Sequence, residues 1–182
     1  MRATPLPALG LLLLLTGSPA VLAAEQLTQA EALALAFPGA TVERKEHFLT
    51  DAQREQIQKL AEVEVRSKYV VAYEARLDKE LQGVAFFDTH LVRTQPETLM
   101  VAISAKGVIL RVEVVQFREP QEYAAPERWT RQLVGQTLGP RLSLKADVKP
   151  LSGASLTAQA MVDASRRALA HFQVLYSRAA TP

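Results

Sequence analysis

The 182-residue sequence contains no cysteine. That absence excludes disulfides, thiolate metal sites, iron–sulfur ligation, a cysteine nucleophile and a lipoprotein anchor. Histidine is nearly as scarce: His47, His90 and His171 are scattered, with no pair at helical spacing, so the sequence points away from a bound metal. A phosphate loop ending in glycine-lysine-serine, a glycine-flanked serine elbow and the serine–lysine spacing of penicillin-binding proteins are also missing. Runs of like charge do not occur either. The 21 lysines and arginines face 19 acids, and without Arg2 the balance is 20 against 19, or +1. That argues against a nucleic-acid surface, which needs clustered positive charge to displace counterions from phosphates.

What is present begins with MRATPLPALGLLLLLTGSPAVLAAEQ. Arg2 supplies a short positive region, Leu11 to Leu15 an apolar run, and Val21-Leu22-Ala23 a small-residue cleavage site. Residues 1–23 therefore read as a signal peptide, and an exported, periplasmic location follows. The competing reading is an uncleaved anchor at the outer face of the cytoplasmic membrane. Against it, Pro7, Gly10, Gly17 and Pro19 interrupt the stretch, leaving an apolar core shorter than the ~20 residues of a membrane span.

Residues 24–182 read as one domain, being too few for two ordinary ones and having no repeat, low-complexity tract or linker. Thr28 to Phe37 reads as a short helix with Ala30, Leu33, Ala34 and Phe37 on one face, ended by Pro38-Gly39. After an extended piece, Thr41 to Phe48, Thr50 with Gln53 forms a capping pair that opens a second helix. At Lys68 the period changes to two, with Tyr69, Val71, Tyr73, Ala75 and Leu77 on one side, and the sheet is expected to begin there. Strands follow from Gly83 to Leu91, around Leu99 to Ile103 and from Val108 to Val114, the last two joined by Ala105-Lys106-Gly107 as a hairpin. A short helix is expected around Trp129 to Val134. The closing helix should run from Ser155 to Leu175, with Leu156, Ala160, Met161, Ala164, Ala168, Leu169 and Phe172 inward and Arg166, Arg167 and His171 late, where positive charge suits the helix dipole. The expected fold is α+β, a central antiparallel sheet flanked by helices.

At the mouth of that helix stands Ser152-Gly153-Ala154-Ser155-Leu156-Thr157. Two hydroxyls around a Gly-Ala pair at a helix start can cap the helix. They can equally hold a phosphate, because glycine admits close approach and the helix start offers free amides and a positive dipole end. Residue chemistry alone leaves both readings open.

The stretch SGASLTAQA resembles the Ser-Gly-Ala-Thr-x-Thr motif of FMN-binding domains, the family that includes the G subunit of Rnf electron-transport complexes and the C subunit of the sodium-translocating NADH:quinone reductase. GVAFFDTH, KGVILRVEVVQFREPQEY and ERWTRQLVG resemble that domain's strand, hairpin, Glu-Pro loop and tryptophan segment in order, over roughly Gly83 to Leu175. The resemblance implies an FMN-binding region at 83–176 preceded by helices and a first strand at 24–82. It implies an electron-transfer flavoprotein rather than a substrate-converting enzyme, with the FMN phosphate linked by a flavin transferase to the hydroxyl after Gly-Ala, here Ser155. Membrane or periplasmic redox proteins are the implied electron partners. The alternative is a periplasmic binding or assembly module of the same fold without covalent flavin.

Two positions depart from the family pattern: Ser155 replaces threonine, and Lys149 stands where an acidic residue is usual. Thr157 is a second hydroxyl with a phosphate or packing role. His90 reads either as a flavin neighbour or as a partner of Asp88 on the same strand face. Tyr123 and Trp129 can stack on the isoalloxazine ring or pack in the core. Glu119, followed by Pro120, matches the family loop that approaches the flavin, and is also an ordinary turn.

Overall fold

The computed structural model describes residues 27–177; the expected signal peptide lies outside them. Thr28 opens α1 (Gln29–Ala36) and Thr50 opens α2 (Asp51–Ala61) by one device, in which the threonine hydroxyl accepts the amide three residues on and the side chain there accepts the threonine amide. Each cap satisfies two backbone donors that the helix leaves free. α1 buries Ala32, Leu33 and Phe37, while Ala30 and Ala34, expected on its packed face, are exposed.

Five strands form one sheet in the order β1 (Thr41–Phe48), β2 (Tyr69–Leu77), β3 (Glu80–Leu91), β4 (Pro96–Ser104) and β5 (Ile109–Phe117). Every neighbouring pair is antiparallel, the meander that the hairpin spacing predicts. The sheet begins at Thr41, however, not at Lys68. β1 is an edge strand whose burial alternates only weakly, and its charged residues protect that edge from pairing with another chain. β3 likewise starts at Glu80, through a tight turn in which Asp78 and Lys79 both take left-handed φ. Positive φ at both central residues gives the twist a two-residue hairpin needs.

The sheet is covered on both faces. α1 packs on one, against Ala75, Ala85, Met100 and Ala102. On the other lie α2 and the closing helix α4 (Ser155–Leu175), against Val70, Ala72, Val84, Phe86, Leu99, Val101 and Ile103. β2 therefore buries residues of both parities, where alternation alone marks only its odd-numbered face. Between β5 and α4 the chain forms a 3-10 turn (Gln121–Tyr123), a short helix α3 (Glu127–Thr130), a second 3-10 turn (Arg131–Leu133) and irregular backbone. Among the described residues no helix is long and apolar enough to cross a membrane.

Gly83 sits in β3 because the Ile103 carbonyl of β4 and the Phe37 ring, at the end of α1, both close over it. A Cβ there would run into the Ile103 carbonyl and come within 2.7 Å of the Phe37 ring. Gly83→Ala is expected to cost about 1–3 kcal/mol through this overpacking, read as a lowered urea midpoint with an unchanged slope; an unshifted midpoint would mean that the Ile103 carbonyl and the Phe37 ring both give way freely.

The sheet is interrupted between its second and third strands. The β2–β3 ladder stops at Ala72 opposite Phe86, although β2 starts at Tyr69 and β3 continues to Leu91.

Candidate functional site

α4 starts from a turn in which the Ala154 amide donates to the Leu151 carbonyl at 3.1 Å. Gly153 holds φ +80°, a conformation that costs any residue with a Cβ, and the space beside it is open. The N-cap is Ala154, which has no side chain able to cap, and Ser155 is the first helical residue. Ser155 is therefore not the cap that its position suggests in the sequence. Its side chain is exposed and takes no part in the hydrogen bonds of the described residues. The first amide satisfied within the helix is that of Ala158, donating to Ala154 O at 3.0 Å. The amides of Ser155, Leu156 and Thr157 are left at the positive end of a 21-residue helix.

Thr157 is used differently. It is buried, and its hydroxyl donates to the Tyr123 carbonyl at 2.7 Å, so it ties the helix start to the loop after β5. Trp129 is also buried, with its indole N–H donating to the Lys149 carbonyl at 2.8 Å, while Gln132 Oε1 accepts the Lys149 amide at 2.9 Å. Together these pin the strap that leads into Ser152 and Gly153. Leu156, expected to face the core, is 54 % exposed beside Ser155.

Glu119 is buried and accepts the amides of Arg93, Thr94 and Gln95 at 3.1, 2.7 and 2.9 Å. The amides of Thr94 and Gln95 are the main reason its carboxyl is held below the usual range, and it acts as the organiser of the β3–β4 turn. That turn places the Arg93 guanidinium 5.0 Å from the centre of the Tyr123 ring. Tyr123 thus touches both Arg93 and Thr157, so the structure gathers Ser152 to Thr157, Tyr123, Trp129 and Glu119 around one end of α4.

His90 belongs elsewhere. Its Nδ1 meets Asp88 Oδ1 at 2.9 Å and its Nε2 meets Glu97 Oε2 at 3.1 Å; Asp88 in turn accepts two bonds from Arg167, both 2.7 Å. Arg167 is twelve residues along α4 from Ser155, about 18 Å at the helical rise. Burial opposes the charge on His90, but the Asp88 and Glu97 hydrogen bonds and charges outweigh it and raise its pKa to about 9. Burial also works against the Asp88 anion, and there Arg167 and His90 prevail and hold the carboxyl well below its ordinary range. His171, packed on Phe86, has no such partner among the described residues, and burial pushes it down to about 4. Arg166 is buried too, hydrogen-bonded to the carbonyls of Ala61, Gly139 and Leu142. None of the three serves the dipole at the helix end, where no basic residue lies in the last turn. The His90–Asp88 pair is legible as strand alternation; Glu97 and Arg167 reach it only through the fold.

A helix start with three free amides, an adjacent left-handed glycine and an exposed hydroxyl suits a phosphate monoester or diester. Residues 94–170 match the family model of the FMN-binding domain. The chain carries an FMN-binding domain. The matched span takes in β4, β5 and α4 as far as Ala170 and leaves β3, with GVAFFDTH, outside it. FMN is the cofactor of this domain, and the free amides that begin α4 are groups that could hold its phosphate. No curated protein matches the chain.

Proposed function

We propose that this chain is an exported electron-transfer protein carrying FMN as a phosphoester on Ser155. The observation that supports it most is the exposed, unengaged Ser155 hydroxyl on the uncapped first turn of α4. The Ser155, Leu156 and Thr157 amides would receive the phosphate oxygens. Thr157 and Trp129 keep that turn in place through Tyr123 and Lys149. No described side chain is hydrogen-bonded to Ser155 Oγ, so among the described residues none stands as its base; a separate flavin transferase would take up the hydroxyl proton as Oγ attacks the FMN phosphorus of a donor activated as a flavin phosphoanhydride, whose P–O–P bond breaks and whose other phosphate half leaves. Bound flavin supplies reversible electron storage, and the protein supplies binding and orientation. Its electron partners would be membrane or periplasmic redox proteins.

The test is intact mass and in-gel flavin fluorescence after coexpression with a flavin transferase. Ser155→Ala should abolish covalent FMN, whereas Ser155→Thr should retain it. Because Ser155 is not the cap, Ser155→Ala should change stability by no more than about 0.5 kcal/mol, so loss of label cannot be blamed on folding. Lys149 favours a second reading: it is exposed in the strap leading to the turn, where the family pattern has an acid. A wild-type chain that stays unlabelled beside a working control, and is labelled once Lys149→Asp is made, would show a binding module without covalent flavin.

A further inference from the structure

The fold separates charge that the sequence mixes. Because the strands lie across the sheet in chain order, successive stretches of sequence become successive parts of the sheet. Thr41 to Val92, which forms β1, α2, β2 and β3, holds eight lysines and arginines against ten acids, a net −2. Arg93 to Lys149, which forms β4, β5 and the segment beyond them, holds nine against six, a net +3. The Ile109 amide donates to Gln136 O at 2.9 Å and the Gly135 amide to Ile109 O at 2.8 Å, so that segment lies beside β5 and extends the basic half. A nearly neutral chain thus carries its charge as two opposed regions.

At the surface the basic excess is larger than this count. Glu97 and Glu119 are buried, and Glu113, Glu127 and Asp147 are paired with Arg111, Arg131 and Arg141. Among the described residues, Glu122 is the one exposed acid of this stretch outside an ion pair, whereas Arg93, Arg118, Arg128, Lys145 and Lys149 are all exposed and unpaired. Four of these cations stand round the start of α4. Arg93 lies over the ring of Tyr123, whose carbonyl accepts the Thr157 hydroxyl, and the Arg118 amide donates to Pro96 O at 3.2 Å beside the same turn. Arg128 precedes Trp129, whose indole N–H donates to the Lys149 carbonyl. The exposed Ser155 and Leu156 lie within this rim.

We propose that the basic rim round the start of α4 docks an acidic face of a partner protein, the redox partner of the carrier; that role, though not the charge, rests on the FMN-binding reading. Exposed charges contribute little to affinity one at a time and are screened beyond about 8 Å at physiological salt. Acting together on an approaching surface of opposite sign, they raise the encounter rate and fix its orientation. That suits a partner that must leave after each exchange. The acid-rich half repels the same face, so approach over β1 to β3 is disfavoured. An anionic bilayer fits less well. The exposed aromatic pair Phe48 and Tyr69, with ring centres 5.3 Å apart, is what a membrane interface would take up, and it lies on β1 and β2, away from the cations.

The probe is a fluorescein-labelled deca-aspartate peptide, titrated by anisotropy into the full chain carrying Ser155→Ala. No flavin is needed, so failed labelling at Ser155 leaves this titration interpretable. Binding should saturate at low salt and weaken about tenfold or more as added salt shortens the Debye length from about 30 to 10 Å. Arg93→Gln, Arg128→Gln and Lys149→Gln together should also weaken it about tenfold or more. The Arg128→Gln, Lys149→Gln pair, which leaves the Arg93–Tyr123 contact intact, should still weaken it about threefold, and circular dichroism separates lost charge from a failed fold. Lys59→Gln with Lys79→Gln, at exposed positions in the acid-rich half, should leave binding unchanged. In the FMN-loaded chain, reoxidation of the reduced flavin by the one-electron acceptor ferricyanide, an anion, should slow as salt rises and slow again in the triple variant. Absence of saturable peptide binding, an equal loss in the Lys59 and Lys79 control, or sedimentation with phosphatidylglycerol vesicles in place of peptide binding would overturn the proposal. A ferricyanide rate unmoved by the triple variant would overturn the redox role of the surface.

Discussion

Replacing Arg166 by leucine is expected to lower stability by about 3–5 kcal/mol. Its guanidinium is buried in the middle of α4 and donates to Ala61 O at 2.6 Å, Gly139 O at 2.8 Å and Leu142 O at 3.2 Å, with Glu62 Oε2 at 2.7 Å. Ala61 ends α2, and Glu62 after it takes the left-handed conformation that stops the helix. Arg166 thus caps one helix from the side of another and fastens the 139–142 segment to both. Leucine would supply comparable apolar contact but leave three main-chain carbonyls short of a donor. Arg166→Lys should recover only part of the loss, because a single ammonium cannot spread over carbonyls that a planar fork reaches together. Glu62→Gln should cost under about 1 kcal/mol, since that carboxylate is largely in water. Urea unfolding measures all three. A deficit below about 1 kcal/mol for Arg166→Leu would mean that water replaces the guanidinium and that the segments are held by packing alone.

That residue also marks the boundary of what is legible in the sequence alone. Signals contained in a few neighbouring residues can be read there: the Thr50–Gln53 cap, the glycine hairpin before Val108, and the bounds of α4 all follow from local hydrogen bonding and period. The turn at Ser152 to Ser155 is legible for the same reason, although not the detail that Ala154 rather than a serine occupies the cap. Thr41 to Phe48 is legible as an extended piece, but its place in the sheet as β1 escapes because an edge strand such as TVERKEHF has little apolar alternation to show. Arg166 looks in sequence like a solvated charge near a helix end, and only the fold brings Ala61 to it across 105 positions. The Arg167–Asp88 pair, 79 positions apart, is hidden in the same way, and so is the parting of β2 from β3, which depends on pairing with outer strands and not on either strand's own residues.

The buried histidines make stability depend on pH with opposite signs, and a maximum near pH 6.5 is the expected result. His90 is raised from 6.5 to about 9. A group raised on folding contributes fully below its unfolded pKa and loses that contribution as pH climbs through the folded one. Between pH 6.5 and 9 the loss should approach about 3 kcal/mol. His171 is lowered from 6.5 to about 4, so the neutral form is the folded one. Its contribution is complete above pH 6.5 and disappears as pH falls toward 4, by a similar amount, and below that the protonation of Asp88 would remove the anion that holds both His90 and Arg167. The groups facing His90 are Asp88 and Glu97; those acting on His171 are Asp88, Arg167 and His47. His90→Gln should flatten the alkaline limb only, and His171→Leu the acid limb only, each measured as urea midpoints across pH 4 to 9. An alkaline limb that persists in His90→Gln would show that the imidazolium between Asp88 and Glu97 is not what the fold loses as pH rises.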